Sequence, residues 1–322
     1  MKSALIAIAL STSELLPRQE RESLVAWLGL YLRIEASAGA ATTFRAKRHD
    51  LEEFLGFFSN ATQSDHPDQW TRPLTAAYLK RMELDDKKPT TINRALATLR
   101  HAAGWVHGQR PFLAGNPTDR LADVQTDEPA WKGLSDLQLM RLRSAAEQLL
   151  RLKTARNQHA ARDYAVFLCL LHTGLRVSEL LSLDLEQYEG KHFLDVKRKG
   201  KKVSAKVFLA GEARVALDDY LENVRGPKTG PLFVSRSAKR LRRSNVDDAL
   251  KALASQANVH LPPGEHIALS AHVLRHTMLR RVAEKNGVQF AMEVSGHSSS
   301  NYIWRYVRPS DDQKEKAMEE LF

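Results

Sequence analysis

The 322-residue sequence predicts a mainly α protein with one small β-sheet, divided into a helical amino-terminal domain and a mixed α/β carboxyl domain. Three observations carry that expectation. Apolar residues recur at spacings of three and four from Ser13 to about Val124, with no credible strand. The stretch Asp123-Val-Gln-Thr-Asp-Glu-Pro-Ala130 is polar, lacks periodicity and ends at a proline, as linkers do. Beyond it lie two alternating runs, His192 to Val196 and Val203 to Leu209, on either side of a glycine, which indicates a hairpin. The expected layout is a helical domain over residues 1–123, a linker over 124–130 and a second domain over 131–322. The length itself fits two domains better than one.

Taken in order, the first ten residues, Met1 to Leu10, mimic a short secretory signal. Their basic region is a single Lys and their apolar run is at the lower length limit, so retention in the cytoplasm is expected. No run approaches the length needed to cross a bilayer, and no membrane partner is expected. Leu24, Trp27, Leu28, Tyr31 and Leu32 form one face of a first helix, which the run Ala36-Ser-Ala-Gly-Ala-Ala41 breaks. Thr42 or Thr43 can cap a second helix, with Phe44, Leu51, Phe54, Leu55 and Phe58 facing inward. A third helix covers roughly Leu74 to Met82, and Thr90 is the expected cap of a fourth.

In the second domain Ser135 caps a helix, and a heavily apolar helix from about His159 to His172 ends at Thr173-Gly174. Arg176 opens the next helix, and Glu179 either steadies that guanidinium or lies on the helix surface. The hairpin tip, Lys197-Arg-Lys-Gly-Lys-Lys202, carries five positive charges in six residues and reads as a phosphate-contacting loop. Ser244 caps a further helix running to about Asn258, entered through Arg240, Arg242 and Arg243. At the carboxyl end Ala317, Met318, Leu321 and Phe322 share one face, giving a docking helix.

Composition narrows the partner. Lys and Arg number 48 against 38 Asp and Glu, a net charge of +10, which suits a polyanion but does not separate DNA from RNA or an anionic membrane. Cys169 is the only cysteine, so no intramolecular disulfide forms, and Phe167-Leu-Cys-Leu-Leu171 makes it a buried thiol.

The chemistry-bearing residues cluster late. His272 and Arg275 are three apart, a spacing that shares a helix face, His297 follows a glycine, and Tyr306 lies nine residues beyond it. Arginine matches phosphate oxygens in pairs, histidine trades protons near neutral pH, and tyrosine can serve as a nucleophile. Together they describe a phosphoryl-transfer site, with Tyr302 as the rival nucleophile.

The segments Thr173-Gly-Leu-Arg-Val-Ser-Glu-Leu180, His272-Val-Leu-Arg-His276 and Gly296-His-Ser298 resemble, in order and spacing, the two boxes of the tyrosine recombinases. These are the integrase, Xer and Cre group of site-specific DNA strand exchangers. The resemblance implies a helical core-binding domain gripping one side of the DNA, with Arg45, Lys47, Arg48, Lys87, Asn93 and Arg94 contacting phosphates. It implies a catalytic domain in which Arg198, Lys201, Lys202, Arg240, Arg242 and Arg243 also meet DNA. Tyr306 would attack the scissile phosphate, His272 would accept its proton, and Arg176, Arg275 and His297 would stabilise the growing negative charge. The family's hairpin inserts a catalytic lysine to protonate the departing 5′-oxygen; Lys199 is nominated, with Lys201 as the alternative register.

No cofactor is implied, because two arginines and a lysine do the charge work often assigned to magnesium, and no carboxylate cluster suggests a metal site. Expected partners are double-stranded DNA bearing an inverted-repeat core site, three further copies in a homo-tetramer on paired sites, and an accessory DNA-binding protein. A nucleoid location follows. The chain starts almost directly with the core-binding helices, so no separate arm-binding domain is expected. Mobile-element movement and cointegrate or dimer resolution are both compatible roles. A type IB topoisomerase and a catalytically inactive DNA-binding accessory protein are the alternatives.

Overall fold

The computed structural model describes residues 16–17, 20–37, 39, 41–126, 133–152, 159–198, 202–296, 315 and 318–320. Its first long element is α1 (Leu24–Tyr31), whose cap is Ser23: the hydroxyl oxygen accepts the Ala26 N–H at 3.1 Å. Leu24, Trp27, Leu28 and Tyr31 are buried, and a π-turn over Leu32–Ala36 ends the helix. Three more helices complete this region: α2 (Ala41–Thr62), α3 (Arg72–Leu84) and α4 (Pro89–Gln109).

Two expected caps are corrected. Thr42 and Thr43 lie inside α2. Helix α4 starts at Pro89 instead of being capped by Thr90; proline at the first helical position has a suitable φ, and its missing N–H would have had no helical partner.

The chain falls into two compact units, residues 1–128 and 129–322, each with its own core. The first core is rich in aromatic rings. Phe54 and Trp70 meet at 4.9 Å between centroids, and the Trp70 indole donates to Thr75 Oγ1 at 2.9 Å. Asp50 is buried in this unit at 4% exposure, and it is satisfied by the Thr98 hydroxyl at 2.9 Å and the Arg94 guanidinium at 2.8 Å.

The second unit is built around α6 (Ala160–Thr173). Ala165 through Leu171 are all buried, the pattern of a helix enclosed on every side. Against it pack α5 (Asp136–Arg151), α8 (Gly211–Tyr220), α9 (Arg243–Ala257) and α10 (Ala271–Asn286). Helix α5 begins with a capping box between Ser135 and Gln138, and the preceding Leu134 N–H donates to Thr277 Oγ1 of α10 at 2.8 Å. Helix α9 starts at Arg243, not after a Ser244 cap; the Asn245 side-chain oxygen accepts the Arg242 N–H at 3.2 Å.

Strands β1 (His192–Lys197) and β2 (Val203–Phe208) form the antiparallel hairpin, with Phe193 opposite Val207 and Lys197 opposite Val203. Phe193 and Val207, opposite each other, are buried, which places that face of the pleat on the core, and Val196 is buried too, beyond Asp195, whose φ is 47°. A short helix α7 (Val177–Leu181) follows α6, and α11 (Val288–Ser295) follows α10. Among the described residues no helix is long and apolar enough to cross a membrane.

Candidate active site

The site is assembled where α6 ends. Gly174 adopts the left-handed conformation at φ 59°, which turns the chain out of the helix and into α7. A Cβ there would lie 2.8 Å from Met278 Sδ of α10, so glycine also permits the close approach of the two helices. That approach lets the Arg275 guanidinium, from α10, donate to the Gly174 carbonyl. Its other arm donates to the Ser295 carbonyl at 3.0 Å. One side chain thereby joins three separate stretches of chain.

Glu179 lies at the centre. One carboxylate oxygen receives the Arg176 guanidinium at 2.8 Å; the other receives the Arg176 backbone N–H at 3.0 Å and the Arg198 guanidinium at 3.1 Å. The Arg275 guanidinium is 4.0 Å from that second oxygen. Burial pushes the pKa of Glu179 up, towards the neutral form, but the Arg176 hydrogen bonds and the charges of Arg198 and Arg176 outweigh it and hold the carboxyl below its ordinary range. The carboxylate therefore stays charged and fixes the arginines around it. Of the two questions left open for Glu179, the structure places it as the brace of Arg176, not on the helix surface.

Exposure distinguishes the three guanidinium groups. Their side chains are 30% exposed at Arg176, 5% at Arg275 and 2% at Arg198. Arg176 is thus the member of the group most open to an incoming phosphate. His272 sits in the first turn of α10, one turn before Arg275, and its ring meets His276 edge to face at 3.9 Å. It is exposed, whereas Arg275 is turned inward.

His297, Tyr302, Tyr306, Lys199 and Lys201 lie outside the described residues, as does most of the expected terminal docking helix. The stems that lead to them are described. Helix α11 closes at Gly296 in a left-handed turn, φ 67°, immediately before His297. The hairpin tip is closed at its base by the Arg198 N–H donating to the Lys202 carbonyl at 2.7 Å.

The expected DNA contacts divide into two groups. Arg198 is enclosed: its guanidinium donates to Glu179, to Ser204 Oγ at 2.9 Å and to the Val294 carbonyl at 3.2 Å. Asn93 is tied to the backbone as well. Its amide is fully engaged with the backbone of Val124, donating to the carbonyl and accepting the N–H, both at 2.8 Å. Arg240 donates to the carbonyls of Leu181 and Leu183, each at 2.9 Å, and pairs with Asp184 at 2.6 Å. Arg94 is held by Asp50, and Lys47 donates to the Tyr31 hydroxyl at 2.9 Å. Arg48 and Arg243 form helix-surface pairs with Glu52 and Asp247. Arg45, Lys87, Lys202 and Arg242 are exposed and form no ion pair among the described residues.

Sequence reasoning missed Arg198 as a brace, together with its acceptors Ser204 and Val294. No local signal could have found it, since it stands among four lysines of the same sign.

Residues 141–313 match the Phage integrase family, and residues 29–105 match the phage integrase N-terminal SAM-like domain. Among curated proteins, tyrosine recombinase XerC of Herpetosiphon aurantiacus is 28% identical over 305 residues, covering 89% of this chain and 90% of that protein. Tyrosine recombinase XerD of Listeria innocua is 23% identical over 288 residues, covering 86% and 92%. Among solved structures, the Tn1549 transposon integrase in complex with a circular intermediate DNA superposes with a TM-score of 0.70 at 18% identity, over 94% of this chain and 100% of that one. XerH site-specific recombinase bound to a palindromic difH substrate gives 0.72 at 18% identity, over 90% and 83%. These two likenesses are of fold.

Proposed function

The chain belongs to the phage integrase family, whose curated relatives are tyrosine recombinases, and we propose that Tyr306 is the nucleophile with which it cleaves and rejoins DNA strands at a specific site. The Tyr306 oxygen attacks phosphorus, the bond from phosphorus to the 5′-oxygen breaks, and the DNA is left joined to the protein as a 3′-phosphotyrosyl ester. A free tyrosine ionises near ~10, too high for efficient attack at neutral pH, so His272 accepts the phenolic proton. Arg176 and Arg275 bind the non-bridging oxygens, His297 donates a further hydrogen bond, and Lys199 returns a proton to the departing 5′-oxygen. Attack by the 5′-hydroxyl of a partner duplex reverses the step and exchanges strands. The ester conserves the energy of the broken bond, so rejoining needs no nucleotide.

The observation that carries this reading is the carboxylate-centred group in which Arg176 and Arg275, from segments 101 residues apart between Gly174 and Arg275, are held together by Glu179 and the Gly174 carbonyl. Such fixed cations favour a phosphate whose charge grows in the transition state, because nothing must reorganise to meet it. A homo-tetramer on two inverted-repeat sites, with an accessory DNA-binding protein, completes the proposal; the tail beyond residue 311 would bridge neighbouring copies.

Nicked suicide DNA tests the nucleophile. Tyr306→Phe is expected to bind that DNA as the unaltered protein does and to form no covalent adduct on a denaturing gel. Adducts that persist in Tyr306→Phe and vanish in Tyr302→Phe would transfer the role to Tyr302. Exchange between two marked plasmids, against relaxation alone, separates recombinase from topoisomerase.

A further inference from the structure

A buried arginine calls for an explanation, because enclosing a guanidinium is costly unless its donors are used. Arg198 is such a residue, and its position is unusual in three respects. It is adjacent in sequence to Lys199 and forms the base of the lysine-bearing tip through its N–H to the Lys202 carbonyl. Its guanidinium reaches Glu179, the same carboxylate that orients Arg176. Its far arm reaches the Val294 carbonyl, three residues before His297, while the stem of the side chain lies against Gly296, where an added Cβ would stand 3.5 Å from Nε.

Three parts of the candidate site therefore meet on one side chain: the hairpin tip, the Arg176 brace and the turn entering His297. Ser204, across the hairpin from Val196, fixes the guanidinium plane by accepting from Nε at 2.9 Å. With Nε on Ser204, one terminal nitrogen on Glu179 and the other on Val294, the planar fork is held in a single orientation. The backbone of residue 198 is thereby anchored on one side of the tip, and the chain leaves for Lys199 from a fixed point.

We propose that Arg198 is a positioning residue that ties the lysine-bearing hairpin tip to the arginine group through Glu179 and to the His297 turn through Val294, so that the proton donor reaches the leaving 5′-oxygen. This rests on the reading in which a tip lysine, Lys199 or Lys201, supplies that proton.

The test compares Arg198→Gln and Arg198→Lys with Lys199→Ala and Lys201→Ala on two suicide substrates. One is ordinary DNA; the other has sulfur in place of the 5′-bridging oxygen at the scissile phosphate. A thiol ionises near ~8.5, so a thiolate departs without a proton donor. On ordinary DNA, Arg198→Gln is expected to lower the single-turnover cleavage rate by about 10²-fold or more, the scale of a lost general acid. On sulfur DNA it should match the unaltered protein, as should the lysine variant that removes the donor. Arg198→Lys keeps a cation beside Glu179 but has no fork, and should show the same pattern with a smaller loss.

Equal losses on both substrates, with the lysine variant rescued, would overturn the positioning role while leaving the lysine assignment intact. If neither Lys199→Ala nor Lys201→Ala is rescued by sulfur, the proton-donor reading fails and the role of Arg198 falls with it. Equilibrium DNA binding supplies a third readout: its dependence on salt should be unchanged in Arg198→Gln, and a slope lowered by about 0.9 would instead make Arg198 a phosphate contact.

Discussion

Cys169 has no exposed surface, lying in the middle of α6, and burial pushes its thiol well above the ordinary range. Since the thiolate is the reactive species, the native protein is expected to resist iodoacetamide at neutral pH, and to take up one equivalent once denatured. Labelling of the folded chain at the rate of a free thiol would show that α6 is not enclosed. This residue was legible in the sequence because the apolar run Phe167 to Leu171 leaves it no polar side to face. Other single residues were not legible. Arg94, Asn93, Arg198 and Arg240 all looked like candidates for DNA, yet each is engaged with an acceptor far along the chain or across a turn: Asp50, the Val124 carbonyl, Glu179 and the Leu183 carbonyl. A charge or an amide in a sequence shows what a side chain can bind, while the fold decides which partner is within reach. The short-range brace was readable as one of two options, because Arg176 and Glu179 are three apart on a helix start.

At the scale of elements, helix α7 is only five residues long and would not form alone. It persists because Leu180 and Leu181 are buried in the core and because Glu179 closes its first turn on the Arg176 N–H. That arrangement has a pH signature. The folded-state pKa of Glu179 lies below the ordinary 4.5, so its contribution to stability is complete above that pH and is lost as pH falls through the depressed value. Glu179→Gln is expected to remove this portion of the acid sensitivity. At pH 7 it should also destabilise the second unit by about 3 kcal/mol, because the buried Arg198 guanidinium then loses the carboxylate it is paired with. Denaturant unfolding of both proteins at pH 7 and pH 4 measures the two effects, and an identical pH dependence would refute the assignment. The sequence made the long helices and the hairpin visible through their periods of 3.6 and two. It misplaced the starts of α2, α4 and α9, where several Thr, Ser, Pro and Asn residues stand close together and each can begin a helix.

Across the whole molecule, the excess of ten positive charges is readable without any structure, but its division between internal bracing and DNA is not. The structure shows which of the described residues are engaged inside the protein. Arg45, Lys87, Lys202 and Arg242 are exposed and enter no ion pair among the described residues, whereas Asn93, Arg94 and Arg240 are engaged with Val124, Asp50 and the carbonyls before Asp184. Each phosphate contact that releases counterions adds about 0.9 to the slope of log affinity against log salt. Replacing the four exposed cations together by Gln is therefore expected to reduce that slope by about 3 to 4, since each removes one contact of this kind. Replacing Asn93, Arg94 and Arg240 by Ala should instead lower the unfolding midpoint and leave the slope nearly as it was, because their loss breaks bonds inside each unit. Fluorescence anisotropy over a salt series, alongside thermal melts of the same samples, reads both quantities. Equal changes in slope for the two sets would mean that the internal partners give way to phosphate when DNA arrives, and that the bonds seen here do not reserve those side chains.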